Sequence, residues 1–320
     1  CARMSAPPAQ RSDAGQSERS VSRSALQGAA WLAFTIVVWA AWPSFTRLAV
    51  TEAVTPEDVV LLRYGIGGLI LLPFLLRGAA NMPRRAWRDG IWLALFQGAP
   101  VAALTAKGLA LAPASHMAAL SPGLMPLFTS LLSYLLMRER ISRLRAAGLV
   151  LIVGGALAIG GVSLGSMENG HWRGDLLFIC AGLLGSIYLL RMRESGLTAL
   201  QAAALISVYS MVVYVPLFAW LWLDSTRLTT VSPPDLVFQA FYQGVLMGAV
   251  TLFSLGRAVV LVGPASAATC LALLPVTGML MAVVVLGEMP SVLEAIGASA
   301  ISAGAVLATG ILRKRSAGHV

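Results

Sequence analysis

The chain has 320 residues, of which 58% are hydrophobic and only 12% charged, whereas soluble domains carry charge on about a quarter of their residues. That balance excludes a soluble globular domain and indicates an integral membrane protein. Lys and Arg number 23 against 14 Asp and Glu, but the arginines fall in short loops between apolar runs and form no basic face, which removes nucleic acid as a partner.

Residues 1–28 lack an apolar core, so they read as a disordered cytoplasmic tail and not as a secretory signal, with Met4 a candidate initiator. Ten apolar runs of bilayer-spanning length follow, at 29–50, 57–76, 89–111, 114–137, 143–162, 174–192, 197–222, 237–261, 265–286 and 291–312. Residues 313–320 form a second cytoplasmic tail. Alternate loops and the tails share 17 Lys and Arg on one side, and the other side holds only Arg173 and Arg227. By the positive-inside rule both termini are cytoplasmic and the span number is even. The expected location is a bacterial inner membrane, with the lipid bilayer as a partner.

The stretch Pro126 to Gly161 recurs at Pro275 to Gly310. A shift of 149 residues pairs Pro126 with Pro275, Glu139 with Glu288, Ser142 with Ser291, Gly148 with Gly297 and Gly155 with Gly304, and 11 of the 36 positions are identical. Five spans per half place the second half upside down. The arginines around Glu139 (Arg138, Arg140, Arg143, Arg145) have no counterpart around Glu288, as opposite orientation requires. The fold class is therefore an all-α integral membrane protein, ten transmembrane helices arranged as two inverted five-helix repeats at 29–162 and 174–312.

Four features carry a resemblance: WAAWPSF at 39–45, LLRYGIGGLILL with Arg63 at 61–72, ALAPAS at 110–115, and the Pro…Glu…Gly pattern of spans 4–5 and 9–10. Together they resemble the EamA-type permeases of the drug/metabolite transporter superfamily. The chain differs at Gly182 and Gly185, where the sixth span of that family often has an aromatic residue. The resemblance implies a secondary transporter of small molecules, treats Glu139 and Glu288 as structural hallmarks, and allows a homodimer through spans 5 and 10.

Pro100, Pro122, Pro126 and Pro275 lie near mid-span. Proline removes a helix hydrogen bond, so the carbonyls of Ala118, Pro122 and Leu271 are expected either to line a wet cavity between spans 4 and 9 or to be satisfied by neighbours. Arg47, Arg63, Lys107 and Arg257 lie within snorkelling distance of an interface; Arg63 and Lys107 alternatively face a pore mouth and attract an anionic or zwitterionic substrate. His116 is either a proton-responsive group or a hydrogen-bonded structural residue. Glu139 and Glu288 suit the N-terminus of the following helix. Trp39, Trp42, Gln97, Ser121, Tyr188 and Gln243 complete the candidate substrate path. Gly244 and Gly248, and the glycines of span 5, permit close helix contact.

Cys180 and Cys270 show no metal or disulfide spacing, and no GxxxxGK[ST] motif is present. No cofactor is expected. The leading reading is a secondary exporter of small metabolites, such as amino acids or related amphipathic compounds, working by alternating access. The alternative is a membrane-embedded enzyme or a non-transporting scaffold, and an enzyme needs convergent His, Asp, Glu or Ser groups at one depth.

Overall fold

The computed structural model of the protein describes residues 9–78, 82–139, 141–165 and 167–308, and these contain helices and turns but no strand. Helices are what such apolar runs must form in lipid, where each backbone N–H and C=O has to be satisfied within the segment. Helix α1 is Ala9–Leu48 and continues through a π-helical turn, Ala49–Ala53. Then come α2 (Pro56–Gly78), α3 (Arg84–Leu111), α4 (Ala114–Met137), α5 (Arg143–Gly165), α6 (His171–Ser195), α7 (Ala199–Leu221) and α8 (Pro233–Val262). Helix α9 is built of two pieces, Pro264–Leu271 and Leu274–Leu286, and α10 is Val292–Ala308.

Among the described residues, eight helices are long and apolar enough to cross a bilayer, and Leu274–Leu286 and Val292–Ala308 are apolar but shorter. The backbone is helical from Ala9, whereas the sequence reading has a disordered tail through residue 28. Ala, Gln, Arg and Glu in that stretch are good helix formers, and no proline interrupts them after Pro8. Residues 1–8 and the expected tail at 313–320 lie outside the described residues.

Local chemistry fixes the helix ends. Thr55 and Asp58 form a capping box on α2 with Pro56 in its first turn, and Thr198 with Gln201 does the same for α7. Asp58 also accepts from Thr226 Oγ1 at 2.5 Å and Arg227 N at 3.0 Å. This ties the α1–α2 turn to the α7–α8 loop. Between α8 and α9, Gly263 has φ +85°, a left-handed conformation that a side chain disfavours.

Glycines decide which helices approach most closely. The α5–α10 seam is the most extensive helix pair. A Cβ on Gly148 would lie 2.6 Å from the Gly304 carbonyl, and one on Gly155 would lie 2.4 Å from the Gly297 carbonyl. The repeat pairs Gly148 with Gly297 and Gly155 with Gly304, so each glycine packs on the counterpart of the other. A two-fold relation between antiparallel helices produces that exchange. On α8, Gly244 abuts Ile66 and Gly248 abuts Gly67 of α2. The sequence's GxxxG is thereby assigned to an α2–α8 contact inside the chain.

Near their prolines, α4 and α9 approach each other closely. A Cβ on Gly278 would stand 2.5 Å from Ala118 Cβ, and one on Gly123 would meet Ile301 at 2.5 Å and Pro275 at 3.5 Å. The helices meet there through small residues, which correct the expectation of a wet gap at that crossing. Helix α4 runs unbroken through Pro122 and Pro126, and Ser130 Oγ donates to the Pro126 carbonyl at 2.6 Å. Breaks fall instead at Gly98 in α3, just before Pro100, and at 272–273 in α9, just before Pro275.

Candidate functional site

The site is built around Arg63. It lies seven residues into α2, about 10 Å along the axis from Pro56. Its guanidinium sits 5.0 Å from the Trp42 ring centre and 5.8 Å from that of Tyr64. Both are cation–π distances. Among the described residues no carboxylate lies within ion-pair distance of Arg63, and the side chain is half-buried. By contrast, Lys107 is neutralised by Glu57 at 3.2 Å and lies over Trp222 at 6.0 Å. One of the two expected pore-mouth cations is thus already paired.

Arg63 joins two polar groups of residues. On one side Trp42 Nε1 donates to Gln243 Oε1 at 2.9 Å, and Gln243 Nε2 donates to Thr46 Oγ1 at 2.9 Å and Gln239 Oε1 at 3.3 Å. Gln243 is fully buried. A buried amide is stable only with this degree of satisfaction. On the other side Tyr64 Oη donates to the Gln97 carbonyl at 3.1 Å. Gln97 Oε1 would lie 3.5 Å from a Cβ on Gly185 of α6.

Both sides contain π-helical turns. Arg63 lies in Leu62–Ile66 and Gln243 in Ala240–Val250, and the two segments pack on each other. The π-helix is rare and recurs at functional sites. On α1 and α3 the buried polar atoms Trp39 Nε1, Ser44 Oγ and Gln97 Oε1 have no hydrogen-bond partner among the described residues. Unsatisfied groups of this kind cost about 1–3 kcal/mol each, a cost that a ligand or water on the path recovers. An open apolar groove of about 510 Å³ lies between α2 and α7, lined by Leu61, Leu62, Gly65, Met211 and Val215 among others.

A second polar region lies at the end of the molecule that carries Arg47, Ala112 and Glu288, the arginine-poor end. Arg47 Nε pairs with Glu288 Oε1, and Arg47 Nη1 donates to the carbonyls of Leu109 at 2.7 Å and Ala112 at 2.5 Å. Glu288 Oε2 accepts from Ala114 N at 3.0 Å. Two expectations are corrected. Arg47 does not snorkel, and Glu288 serves the N-terminus of α4 and not that of α10. Helix α10 is capped by Ser291 and Glu294, with Ser291 N donating to Glu294 Oε2 at 2.5 Å. For Glu139 the described contact is its own backbone N–H donating to the Ser133 carbonyl at 3.4 Å.

His116 is not a lone histidine. Its Nδ1 lies 2.9 Å from Asp175 Oδ1 and its Nε2 lies 2.6 Å from Glu294 Oε1. Ser163 Oγ donates to Asp175 Oδ2 at 2.5 Å. Both carboxylates escape a search of mid-span positions because Glu294 lies in the first turn of α10 and Asp175 is the fifth residue of α6, where acidic residues are ordinary. The S-x-x-E box of Ser291 and Glu294 is legible in sequence, but its reach to His116 is not.

Of the remaining predicted path residues, Ser121 is buried, and its carbonyl would be 2.7 Å from a Cβ on Gly182. This close approach of α4 and α6 accounts for glycine where the resembled family often has an aromatic residue. Tyr188 packs in the apolar cluster that contains Tyr64 and Leu93. The sequence brings Arg63, Trp39, Gln97 and Gln243 into its candidate list, whereas Tyr64, Thr46 and Gln239 are found only by the fold. They are common helix residues with no distinguishing spacing. Among the described residues no group of His, Cys, Asp and Glu is arranged to hold a metal ion.

Comparison with known proteins bears on the whole chain. No curated protein matches it in sequence. One solved crystal structure of a protein is similar over 92% of this chain and 99% of its own length, at 23% identity and a TM-score of 0.59, which shows a shared fold. The sequence profile described as the EamA-like transporter family matches twice, at residues 26–161 and 172–310. These two matches together cover most of the chain, and the chain belongs to the EamA-like transporter family.

Proposed function

We propose that this protein is a secondary exporter of small amphipathic metabolites bearing a carboxylate, amino acids or close relatives, and that it works by alternating access between two inverted five-helix halves. In this reading α1–α5 and α6–α10 are the ten spans, 29–162 and 174–312 the halves, and the arginine-rich loops and both termini face the cytoplasm of a bacterial inner membrane. The reading is non-enzymatic and uses no cofactor.

The observation that carries it is Arg63: a half-buried cation held by two aromatic rings, without a carboxylate partner among the described residues. A charge at that depth is costly and belongs on a substrate path. A substrate carboxylate completes its pairing. An apolar substrate side chain then lies against Trp39 or the α2–α7 groove. The exchanged glycine contacts of α5 and α10 support the inverted relation.

The test is counterflow in proteoliposomes, loaded with a mixture of amino acids and amino-acid analogues, followed by mass spectrometry. Saturable efflux of carboxylate-bearing compounds is expected, with Arg63→Met raising the half-saturation constant about 10- to 100-fold, the loss of one charge-assisted hydrogen bond. Equal efflux by the variant and the parent sinks the role of Arg63. Absence of any saturable flux, with chemical conversion of a compound in its place, returns the enzyme reading.

A further inference from the structure

Four buried polar side chains from four helices meet at the arginine-poor end: His116 of α4, Ser163 of α5, Asp175 of α6 and Glu294 of α10. Each lies near the terminus of its helix, so all four share one level. His116 and Ser163 belong to the first half, Asp175 and Glu294 to the second. The imidazole therefore links the two halves at this end. Ala114 N, two residues from His116, connects the cluster to the Arg47–Glu288 pair.

The groups facing the imidazole are Asp175 from α6, Glu294 from α10, the Ser163 hydroxyl from α5 at 3.4 Å, and the His171 ring at 6.4 Å. Among the described residues no Lys or Arg forms an ion pair with either carboxylate. Each N···O line needs one proton. Two exchangeable protons satisfy both lines whether they sit as imidazolium with two carboxylates or as neutral imidazole with one carboxylic acid; they belong to the cluster and not to one residue. Removing one leaves a nitrogen lone pair against a carboxylate oxygen. In a buried site that contact turns from attraction to repulsion.

We propose that His116, Asp175 and Glu294 form a proton-binding site that locks the arginine-poor end shut when it holds two protons and releases it when one is lost. The inference rests on the reading of the chain as a carrier whose ends open in turn. Among the described residues the opposite end shows no equivalent. The segment Pro113-Ala114-Ser115-His116 recurs as Pro264-Ala265-Ser266-Ala267, with alanine in the place of histidine, and the repeat partner of Glu294 is Arg145, which donates to Ser130 Oγ at 2.9 Å. In this proposal the proton-sensitive contact belongs to one end of the carrier.

The experiment measures the width of that end directly and needs no substrate, so its failure is separate from failure of the transport reading. Spin labels on Ala110→Cys and Met289→Cys, both at exposed positions, are introduced after replacing Cys1, Cys180 and Cys270. Their separation is read by double electron–electron resonance in lipid nanodiscs across a pH series. The parent distribution shifts to longer distances as pH rises. His116→Gln presents one donor end and one acceptor end, leaves one carboxylate unmatched, and gives the long distance at all pH values. Glu294→Gln donates from its amide to neutral His116 while its oxygen keeps the Ser291 N–H, and gives the short distance at all pH values. A parent distance independent of pH overturns the proposal. So does a pH shift that survives in Glu294→Gln, which also serves if His116→Gln does not insert.

Discussion

Replacing Arg47 by Met probes the ion pair that ties α1 to the α9–α10 turn. The change keeps the apolar stem and removes the guanidinium, which donates to Glu288 and to the carbonyls of Leu109 and Ala112. Glu288 is left with Ala114 N as its partner, and two carbonyls at the end of α3 lose theirs. Breaking a fully buried pair costs about 3–5 kcal/mol. Here the side chains retain 20% and 23% exposure, which lets water reach the abandoned carboxylate and lowers the expected loss to about 2 kcal/mol. Arg47→Met/Glu288→Met removes both charges and should lose only about 1 kcal/mol, because an apolar pair has no desolvation cost to recover. The double variant is thus more stable than the Arg47→Met single. Reversible unfolding in mixed micelles titrated with dodecyl sulfate, followed by tryptophan fluorescence, supplies the double-mutant cycle. A single variant within about 0.5 kcal/mol of the parent, a change typical of an uninvolved surface residue, would refute the reasoning.

Gly155→Leu places a side chain where even a Cβ would be 2.4 Å from the Gly297 carbonyl; it should abolish a monodisperse gel-filtration peak, whereas Gly154→Leu, with open space at its Cβ, should elute like the parent. Gln243→Ala leaves Trp42 Nε1 without its acceptor and Thr46 without its donor, a loss of about 1–3 kcal/mol, and should lower transport while protein still inserts in the membrane; unchanged flux removes Gln243 from the site. Reporter fusions after Arg145 and after Glu288 should report opposite sides of the membrane, and a same-side result rules out the inverted arrangement.

Much of the fold was legible because its signals are periodic or repeated. Apolar runs marked the helices, and the recurrence of Glu139 and three glycines at Glu288, Gly297, Gly304 and Gly310 marked two related halves before any contact was known. Arg63 and Gln243 stood out as polar residues inside apolar runs, where each demands a partner. What sequence could not supply was partnership across long separations. Arg47 and Glu288 are 241 positions apart, and His116 and Glu294 are 178 apart. Prolines misled for a related reason. Pro122 and Pro126 bend the expectation toward an open cavity, yet Ala118, Gly123 and Gly278 are small enough for α4 and α9 to close on each other. Whether a freed carbonyl meets water or a neighbour depends on the facing helix.

The α5–α10 seam also limits how such a molecule moves. Its closest contacts set glycine against backbone carbonyl, with the branched side chains of Ile152, Ile159 and Ile301 wedged beside them. An advance of one turn, about 5.4 Å, would carry Ile152, fully buried beside Gly304, into a carbonyl that now has only a glycine opposite it. The pair is therefore a keyed axle: it can tilt as a unit, but cannot ratchet. Any opening at either end has to come from the helices around it, with this axle as the fixed reference against which they turn.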